Sequence, residues 1–225
     1  GGTMTELLQC VEVQTSPSPG ATVILLHGLG ADGYDFVPVV RELETHGAPA
    51  ARYVFPHAPA MPVTINGGYV MRAWYDILGA DLVRREDEHG IRASQALVEA
   101  LIEREVERGV ARSRIVLAGF SQGGAITLHT GLRQPQPLAG LIALSCYLPL
   151  ADAFPKEASA ASKGVPLFLA HGTQDPVVPL ARGTASRDSL KAAGYSVEWH
   201  DYPMPHSVSA EEIRDIAAFM QRVLA

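Results

Sequence analysis

The hydrophobic positions of this chain fall into short runs that are separated by longer amphipathic segments. Five of the runs are almost continuously apolar, which is typical of strands that are buried on both faces of a sheet. A sixth run alternates apolar and polar positions, as a strand at the periphery of a sheet does. The six predicted strands cover residues 22–27, 52–55, 114–118, 141–145, 166–170 and 196–202.

Helical patterns fill the intervals between these strands. Predicted helices cover residues 94–108, 122–132 and 181–193. Gly194 is placed to end the third, and a last helix is predicted after Ser209, which has the capping-box spacing to Glu212. Strands that alternate with helices predict an α/β fold, in which a mostly parallel sheet carries helices on both faces. Because no linker or repeat divides residues 1–225, we expect one domain.

Residues 61–78 fit neither pattern. This stretch contains Pro62, an Asn-Gly-Gly turn sequence at 66–68, and the adjacent aromatics Trp74 and Tyr75. Long ordered connections often serve as lids or binding loops, so we expect that role here. The alternative is an ordinary surface excursion that buries its aromatic side chains in the core.

The composition limits the partners that we expect. The chain has 225 residues, of which 47% are hydrophobic, and this is enough for a sizeable core. Its formal net charge is −6 and its basic residues form no cluster, which argues against binding to nucleic acid or to anionic membranes. The expected partner is therefore a small-molecule substrate.

The cysteines and the first residues bear on the compartment. Cys10 and Cys146 are too few and too far apart for a disulfide framework, and no cysteine or histidine has the spacing of a metal site. Residues 1–3 resemble an expression-vector remnant before Met4. Neither a secretory signal nor a membrane-spanning run is apparent, so we expect a cytoplasmic protein without stable membrane insertion.

The sequence Gly-Phe-Ser-Gln-Gly at residues 119–123 carries the strongest chemical signal. It matches the Gly-x-Ser-x-Gly nucleophile elbow, and it lies between a predicted strand and a predicted helix as that motif requires. The turn is so sharp that side chains at Gly119 and Gly123 would collide with neighbouring backbone. We predict that Ser121 is a catalytic nucleophile, and the alternative is a glycine-rich helix start.

A serine nucleophile needs a histidine base and an acid that orients the histidine, in the chain order serine, acid, histidine. His206 lies in a loop after the sixth strand, whereas His200 lies within that strand, so His206 is the predicted base. Asp175 directly follows the fifth strand and is the predicted acid, a role compatible with capping a helix. The acids disfavoured by their positions are Asp152, Asp188 and Asp201.

An acyl-transfer reaction also needs two backbone N–H groups that stabilise its oxyanion. Gln122 follows the nucleophile, and Leu29 lies in the glycine-rich turn after the first predicted strand, so both are candidates. Residues 28–33 also form a Gly-x-Gly-x-x-Gly pattern, which alone would indicate a dinucleotide site. The second strand, however, lacks the acidic residue that binds the ribose in such sites. Cys146 lacks an elbow and is interpreted as a core residue.

Several motifs together resemble one family. They are the His-Gly-Leu-Gly-Ala-Asp-Gly at 27–33, the Trp-Tyr-Asp at 74–76, the elbow, the His-Gly-Thr-Gln-Asp at 171–175 and the Met-x-His-x-Val around His206. From about Ala21 onward, they resemble the phospholipase/carboxylesterase family of small carboxylesterases and acyl-protein thioesterases. Residues 63–68 are most similar to its bacterial carboxylesterases. Pro205 departs from the family pattern, which usually has glycine before the histidine.

The resemblance implies an α/β-hydrolase of minimal size, without a large cap domain. It implies hydrolysis of carboxylic esters or thioesters with no metal or cofactor. The family's triad falls on Ser121, Asp175 and His206, and its oxyanion donors fall on Leu29 and Gln122. Since family members are often dimers, a homodimer is also an expectation.

The acyl group is less determined than the chemistry. We expect a serine carboxylesterase that acts on short to medium acyl chains, with a thioesterase or lysophospholipase acting on long chains as the alternative. Trp74, within residues 61–78, and Val178, just after Asp175, are expected to line the acyl pocket. A non-catalytic binding module on the same fold would predict a broken triad, and all three candidate residues are present.

Overall fold

The computed structural model describes residues 6–79 and 85–225, which form nine strands and six helices. The strands are β1 (Cys10–Gln14), β2 (Thr22–Leu26), β3 (Arg52–Pro56), β4 (Ala60–Val63), β5 (Tyr69–Arg72), β6 (Ile115–Phe120), β7 (Gly140–Leu144), β8 (Leu167–Gly172) and β9 (Val197–Tyr202). The helices are α1 (Val39–Thr45), α2 (Glu88–Glu107), α3 (Gln122–Gly131), α4 (Phe154–Glu157), α5 (Leu180–Ala192) and α6 (Ala210–Val223). Short 3-10 helices lie at Thr64–Asn66, Arg112–Arg114 and Ala160–Gly164.

Seven strands form the main sheet, in the order β1-β3-β2-β6-β7-β8-β9. Strand β1 pairs antiparallel with β3, and every other neighbouring pair is parallel. The six predicted strands correspond to six of these, and the mostly parallel α/β sheet is confirmed. The alternating sixth run is β9, which lies at the edge of the sheet as its pattern predicted.

The core has one layer on each face of the sheet. Along β6, Ile115 and Leu117 pack into the layer shared with α2 and α3, whereas Val116 and Ala118 pack into the layer shared with α1 and α6. Successive side chains of a strand point to opposite faces, so a strand covered on both sides must be apolar at every position. Each valine, leucine or isoleucine side chain among them contributes roughly 1.5–3 kcal/mol on full burial.

Helix boundaries follow the capping residues. The capping box of Ser209 and Glu212 opens α6, and Gly194 follows α5 with φ of 93°, both as predicted. Helix α2 begins at Glu88, not at residue 94 as predicted. Its first turn is stabilised by the side chain of Asp87, which accepts a hydrogen bond from the N–H of Gly90 at 3.0 Å. The charged, glycine-containing first turn concealed this start.

The expectation of an irregular stretch at residues 61–78 needs correction. Strands β4 and β5 form an antiparallel hairpin within it, and Gly67 and Gly68 make the turn with φ of 67° and 78°. Only residues without a side-chain penalty at positive φ form such a turn cheaply. Strand β1 and helix α1 were also not predicted, because their short, mixed patterns carry little periodicity.

Within the described ranges, no helix has the length and apolarity needed to cross a bilayer.

Candidate active site

The predicted functional residues meet at one edge of the sheet. Strands β2, β6, β8 and β9 are parallel, so their carboxyl ends lie on the same side. The glycine-rich turn follows β2, Ser121 follows β6, Asp175 follows β8 and His206 follows β9. Ligand sites of open α/β sheets form at this edge, because the loops there converge.

The elbow holds Ser121 in a strained backbone conformation, with φ of 57° and ψ of −119°. A Cβ at Gly119 would overlap the carbonyl oxygen of Gly123, and a Cβ at Gly123 would overlap that of Leu26. Glycine at both positions therefore lets α3 pack directly against β2 and β6. The N–H of Ser121 donates to the carbonyl of Leu144 on β7 at 2.8 Å, which ties the strained residue to the sheet. Such strain costs of order 1–3 kcal/mol and persists only where the surroundings enforce it.

Three side chains form a continuous hydrogen-bonded line. His206 Nε2 lies 2.9 Å from Ser121 Oγ, and His206 Nδ1 lies 2.6 Å from Asp175 Oδ2. An ionised carboxylate only accepts hydrogen bonds, so the imidazole proton resides on Nδ1 and Nε2 is free to accept the serine proton. The arrangement fits proton transfer from the hydroxyl to the imidazole.

Asp175 is fully enclosed by protein. Its side chain has 0% exposure, yet Oδ1 accepts hydrogen bonds from the N–H groups of Val177 and Val178, both at 2.8 Å. Together with His206, these donors satisfy both carboxylate oxygens. A buried charge is tolerated only when it is bonded in this way, and the bonds also fix the direction in which the carboxylate points.

The loop that carries His206 is held against the end of β8. The N–H of Gln174 donates to the carbonyl of Met204 at 3.1 Å, and a Cβ at Gly172 would overlap the carbonyls of Met204 and Pro205. The ring of Phe120 packs on the imidazole of His206 at a centroid distance of 4.8 Å. Pro205, the departure from the family pattern, is therefore accommodated with His206 at bonding distance from Ser121.

The glycine-rich turn after β2 presents its backbone to the same point. Among the described residues, the N–H groups of Leu29 and Gln122 have no intramolecular acceptor, whereas the N–H of Gly30 donates to the carbonyl of Arg72 at 2.8 Å. Unpaired N–H groups at a reaction centre are suited to an oxyanion. Helix α1 begins only at Val39, so no helix N-terminus opens directly after this turn as a dinucleotide site requires.

His27 fixes the shape of that turn. The N–H of Ala58 donates to His27 Nε2 at 3.0 Å, so Nδ1 carries the proton and donates to the carbonyl of Gly28 at 2.7 Å. Burial lowers the pKa of His27, which favours this neutral form. The turn is thus positioned by a side chain that does not itself reach the substrate space.

Gln122 contributes its side chain as well as its N–H. Its Oε1 accepts from the N–H of Trp74 at 2.6 Å, and its Nε2 donates to the carbonyl of Tyr75 at 2.7 Å. The indole N–H of Trp74 donates in turn to the carbonyl of His27 at 2.8 Å. The elbow, the Trp74–Tyr75 backbone and the glycine-rich turn are therefore one bonded unit, although they are distant in sequence.

A cleft of about 790 Å³ opens beside Ser121. Most of its walls are apolar, which suits a hydrocarbon chain better than a charged substrate. Its lining includes Leu29, Ile65, Tyr75, Ile77, Phe120, Tyr147, Pro176, Val177, Val178 and Pro179, together with Ser121, Gln122 and His206.

The competing histidine and acids lie apart from this line. His200 lies within β9, where its ring is hydrogen-bonded to the carboxylate of Glu198 at 2.7 Å and stacks on the ring of Phe168. Asp201 accepts from the indole of Trp199, and Asp188 pairs with Arg187 in α5. Asp152 lines a separate cavity. The structure therefore brings together Ser121, His206 and Asp175 and leaves the alternatives elsewhere.

Sequence comparison places these features in a known group. The profile described as Phospholipase/Carboxylesterase matches residues 8–224. The chain belongs to the phospholipase/carboxylesterase family. The resemblance inferred from the motifs is thus confirmed, and with it the α/β-hydrolase fold and an ester or thioester hydrolase activity.

The chain is also similar to individual members of the family, both in sequence and in structure. A protein of Neurospora crassa named acyl-protein thioesterase 1 is 44% identical, over 89% of this chain and 85% of its own. A protein of the same name from Gibberella zeae is 39% identical, over 91% of each chain. The crystal structure of Arabidopsis thaliana SOBER1 superposes with a TM-score of 0.84 at 32% identity, covering 91% of this chain and 99% of that one.

One substrate-pocket expectation for this family member is wrong. Trp74 does not line the cleft: it is 0% exposed and holds the glycine-rich turn through its indole N–H. Its neighbour Tyr75 lines the cleft instead. Val178 is among the cleft residues, as expected.

Sequence reasoning missed several other residues of the cleft. Ile65 and Ile77 belong to the stretch around the hairpin, and Tyr147 follows β7 at the same edge as Ser121. The signal available for Tyr147 was its position, just beyond a strand neighbouring the elbow. Nothing in its local pattern separated it from a core aromatic.

Proposed function

We propose that this chain is a serine thioesterase that removes long acyl chains from acylated cysteines of proteins. Two relatives covering most of the chain, at 44% and 39% identity, bear the name acyl-protein thioesterase 1. The deciding observation in the structure is the Ser121–His206–Asp175 line at the mouth of a largely apolar cleft of about 790 Å³.

In the proposed mechanism, Ser121 Oγ attacks the acyl carbonyl while His206 Nε2 takes the hydroxyl proton. The N–H groups of Leu29 and Gln122 stabilise the oxyanion, and a single donor of this kind is worth about 3 kcal/mol in other serine hydrolases. The carbon–sulfur bond then breaks, and the cysteine thiolate leaves and takes the proton from His206. Asp175 stabilises the imidazolium and holds its orientation.

Deacylation repeats these steps with water. His206 removes a proton from a water molecule as its oxygen attacks the acyl-serine ester, and the second tetrahedral intermediate uses the same N–H groups. The bond to Ser121 Oγ then breaks, Oγ regains its proton from His206, and the fatty acid is released.

A carboxylesterase for short to medium acyl chains is the second candidate, because the same groups hydrolyse oxygen esters and the family profile includes carboxylesterases. Matched ester and thioester series over increasing chain length separate the two. We expect kcat/KM to be higher for thioesters and to rise through long chains. A maximum at short oxygen esters would favour the second candidate.

The triad assignment is tested with active-site substitutions. We expect Ser121→Ala and His206→Ala to lower kcat by about 10⁴-fold or more, because each removes a member of the proton-transfer line. Labelling by a fluorophosphonate should disappear in Ser121→Ala. His200→Ala is the matched control and should retain labelling and turnover. Loss of activity in His200→Ala with retention in His206→Ala would overturn the assignment.

A further inference from the structure

Two tyrosines form a boundary of the catalytic cleft. The hydroxyl groups of Tyr75 and Tyr147 are 2.8 Å apart, and the two residues are 3% and 5% exposed. Both belong to the lining of the cleft, and both also line a smaller adjoining pocket that includes Glu86. The phenol pair is therefore shared between the catalytic cleft and the space beside it.

A second cavity lies near this boundary, because Arg182, which packs on the ring of Tyr147, is part of its lining. It has a volume of about 320 Å³, and Glu86, Leu148, Leu150 and Arg182 are among the residues that line it. Glu86 lines both this cavity and the small pocket next to the tyrosines. The linings of the catalytic cleft and of the second cavity are thus connected through the two tyrosines and Glu86.

Each tyrosine is held from a different direction. The carbonyl of Tyr75 accepts from Gln122 Nε2 at 2.7 Å. The guanidinium of Arg182 lies over the ring of Tyr147 at 5.0 Å, and the next residue, Leu148, donates its N–H to Ser186 Oγ at 2.8 Å. Burial raises the pKa of both phenols, that of Tyr147 to about 12, so they stay neutral and keep their mutual hydrogen bond.

We propose that the Tyr75–Tyr147 pair is the end wall of the acyl-binding cleft and sets the longest acyl chain that gains binding energy there. The inference rests on the proposed function, in which the cleft holds the acyl chain. A methylene that finds room in an apolar cleft raises kcat/KM by up to about fourfold, and one that reaches a fixed wall adds nothing. The wild-type enzyme should therefore show a break in the plot of log kcat/KM against chain length.

The test replaces Tyr147 and measures the acyl-chain length at which the plot of log kcat/KM breaks. Tyr147→Ala joins the cleft to the adjoining space, so the break should move to longer chains by roughly two methylenes or more. Tyr147→Leu should move the break by a smaller amount, and this variant replaces Tyr147→Ala in the test if the alanine variant does not fold. Fluorophosphonate titration counts active sites, so each rate is referred to folded, competent enzyme.

Tyr195→Leu is the matched control, because Tyr195 is also buried and bonds through its hydroxyl, to Ser162 at 2.7 Å, but does not line the cleft. Its break should stay at the wild-type position. An unchanged break in competent Tyr147→Ala or Tyr147→Leu would overturn the proposal. The series is run with both thioesters and oxygen esters. A preference for esters would contradict the proposed function, whereas the wall is judged only by where the break falls.

Discussion

The elbow, residues 119–123, and the hairpin segment, residues 60–79, both contribute to the same cleft but depend on different physics. The elbow is local: its two glycines are required by contacts with the backbone of Gly123 and Leu26, and its serine is strained in place. The hairpin segment is held by residues distant in sequence: the side chain of Gln122 bonds to its Trp74–Tyr75 backbone, and its Trp74 indole donates to the carbonyl of His27. The nucleophile is thus positioned by local backbone contacts, whereas this part of the cleft lining is positioned by hydrogen bonds between residues distant in sequence.

This difference between the elbow and the hairpin segment can be tested by substitution, and we expect the largest loss of stability and labelling from a change at Gly123. A methyl group there would overlap the carbonyl oxygen of Leu26, so Gly123→Ala should cost about 3 kcal/mol of unfolding free energy. Displacement of Ser121 should also reduce fluorophosphonate labelling by about 100-fold. Denaturant unfolding and labelling rates measure the two effects.

Gly164→Ala is the control, since a Cβ at Gly164 would meet nothing within 4 Å. Its free energy of unfolding should change by less than about 0.5 kcal/mol. Equal effects of the two substitutions would show that the elbow is not under local steric constraint.

A smaller effect is expected at the join between the two regions. Gln122→Leu keeps the backbone N–H but leaves the N–H of Trp74 and the carbonyl of Tyr75 buried without their partner. We expect a loss of about 2 kcal/mol in unfolding free energy and of about tenfold in kcat/KM for long-chain substrates. The exposed Gln9→Leu serves as the control. Unchanged stability in Gln122→Leu would mean that the hairpin segment is held by other contacts.

The smallest effect is expected at Trp74. Trp74→Phe keeps an aromatic ring in the core and removes the hydrogen bond to the carbonyl of His27, which should cost about 1 kcal/mol. The turn that carries Leu29 would lose one support, so kcat should fall a fewfold with little change in KM. Trp199→Phe, whose indole bonds to the carboxylate of Asp201, is the matched control. A change in KM alone would indicate that Trp74 touches substrate after all.

Most of the sheet was predictable because its physical requirement is periodic. Strands such as β6 must be apolar at each position when both faces are covered, and this pattern survives without knowledge of their neighbours. Strand β1 and helix α1 were missed because they are short and contain too few residues to show a hydrophobic periodicity. The start of α2 was missed because capping by Asp87 outweighed a weak, charged first turn.

By itself, the sequence determined the α/β class, the elbow and the order in which Ser121, Asp175 and His206 occur. The elbow follows from local steric requirements, and the order of the three residues follows from their positions after successive strands. Both are visible in the sequence without a structure. Only the tertiary structure decided that Tyr75, and not Trp74, faces the cleft, and that Tyr75 meets Tyr147 there. Such pairings depend on which side of a segment faces which distant partner, and no local pattern encodes that choice.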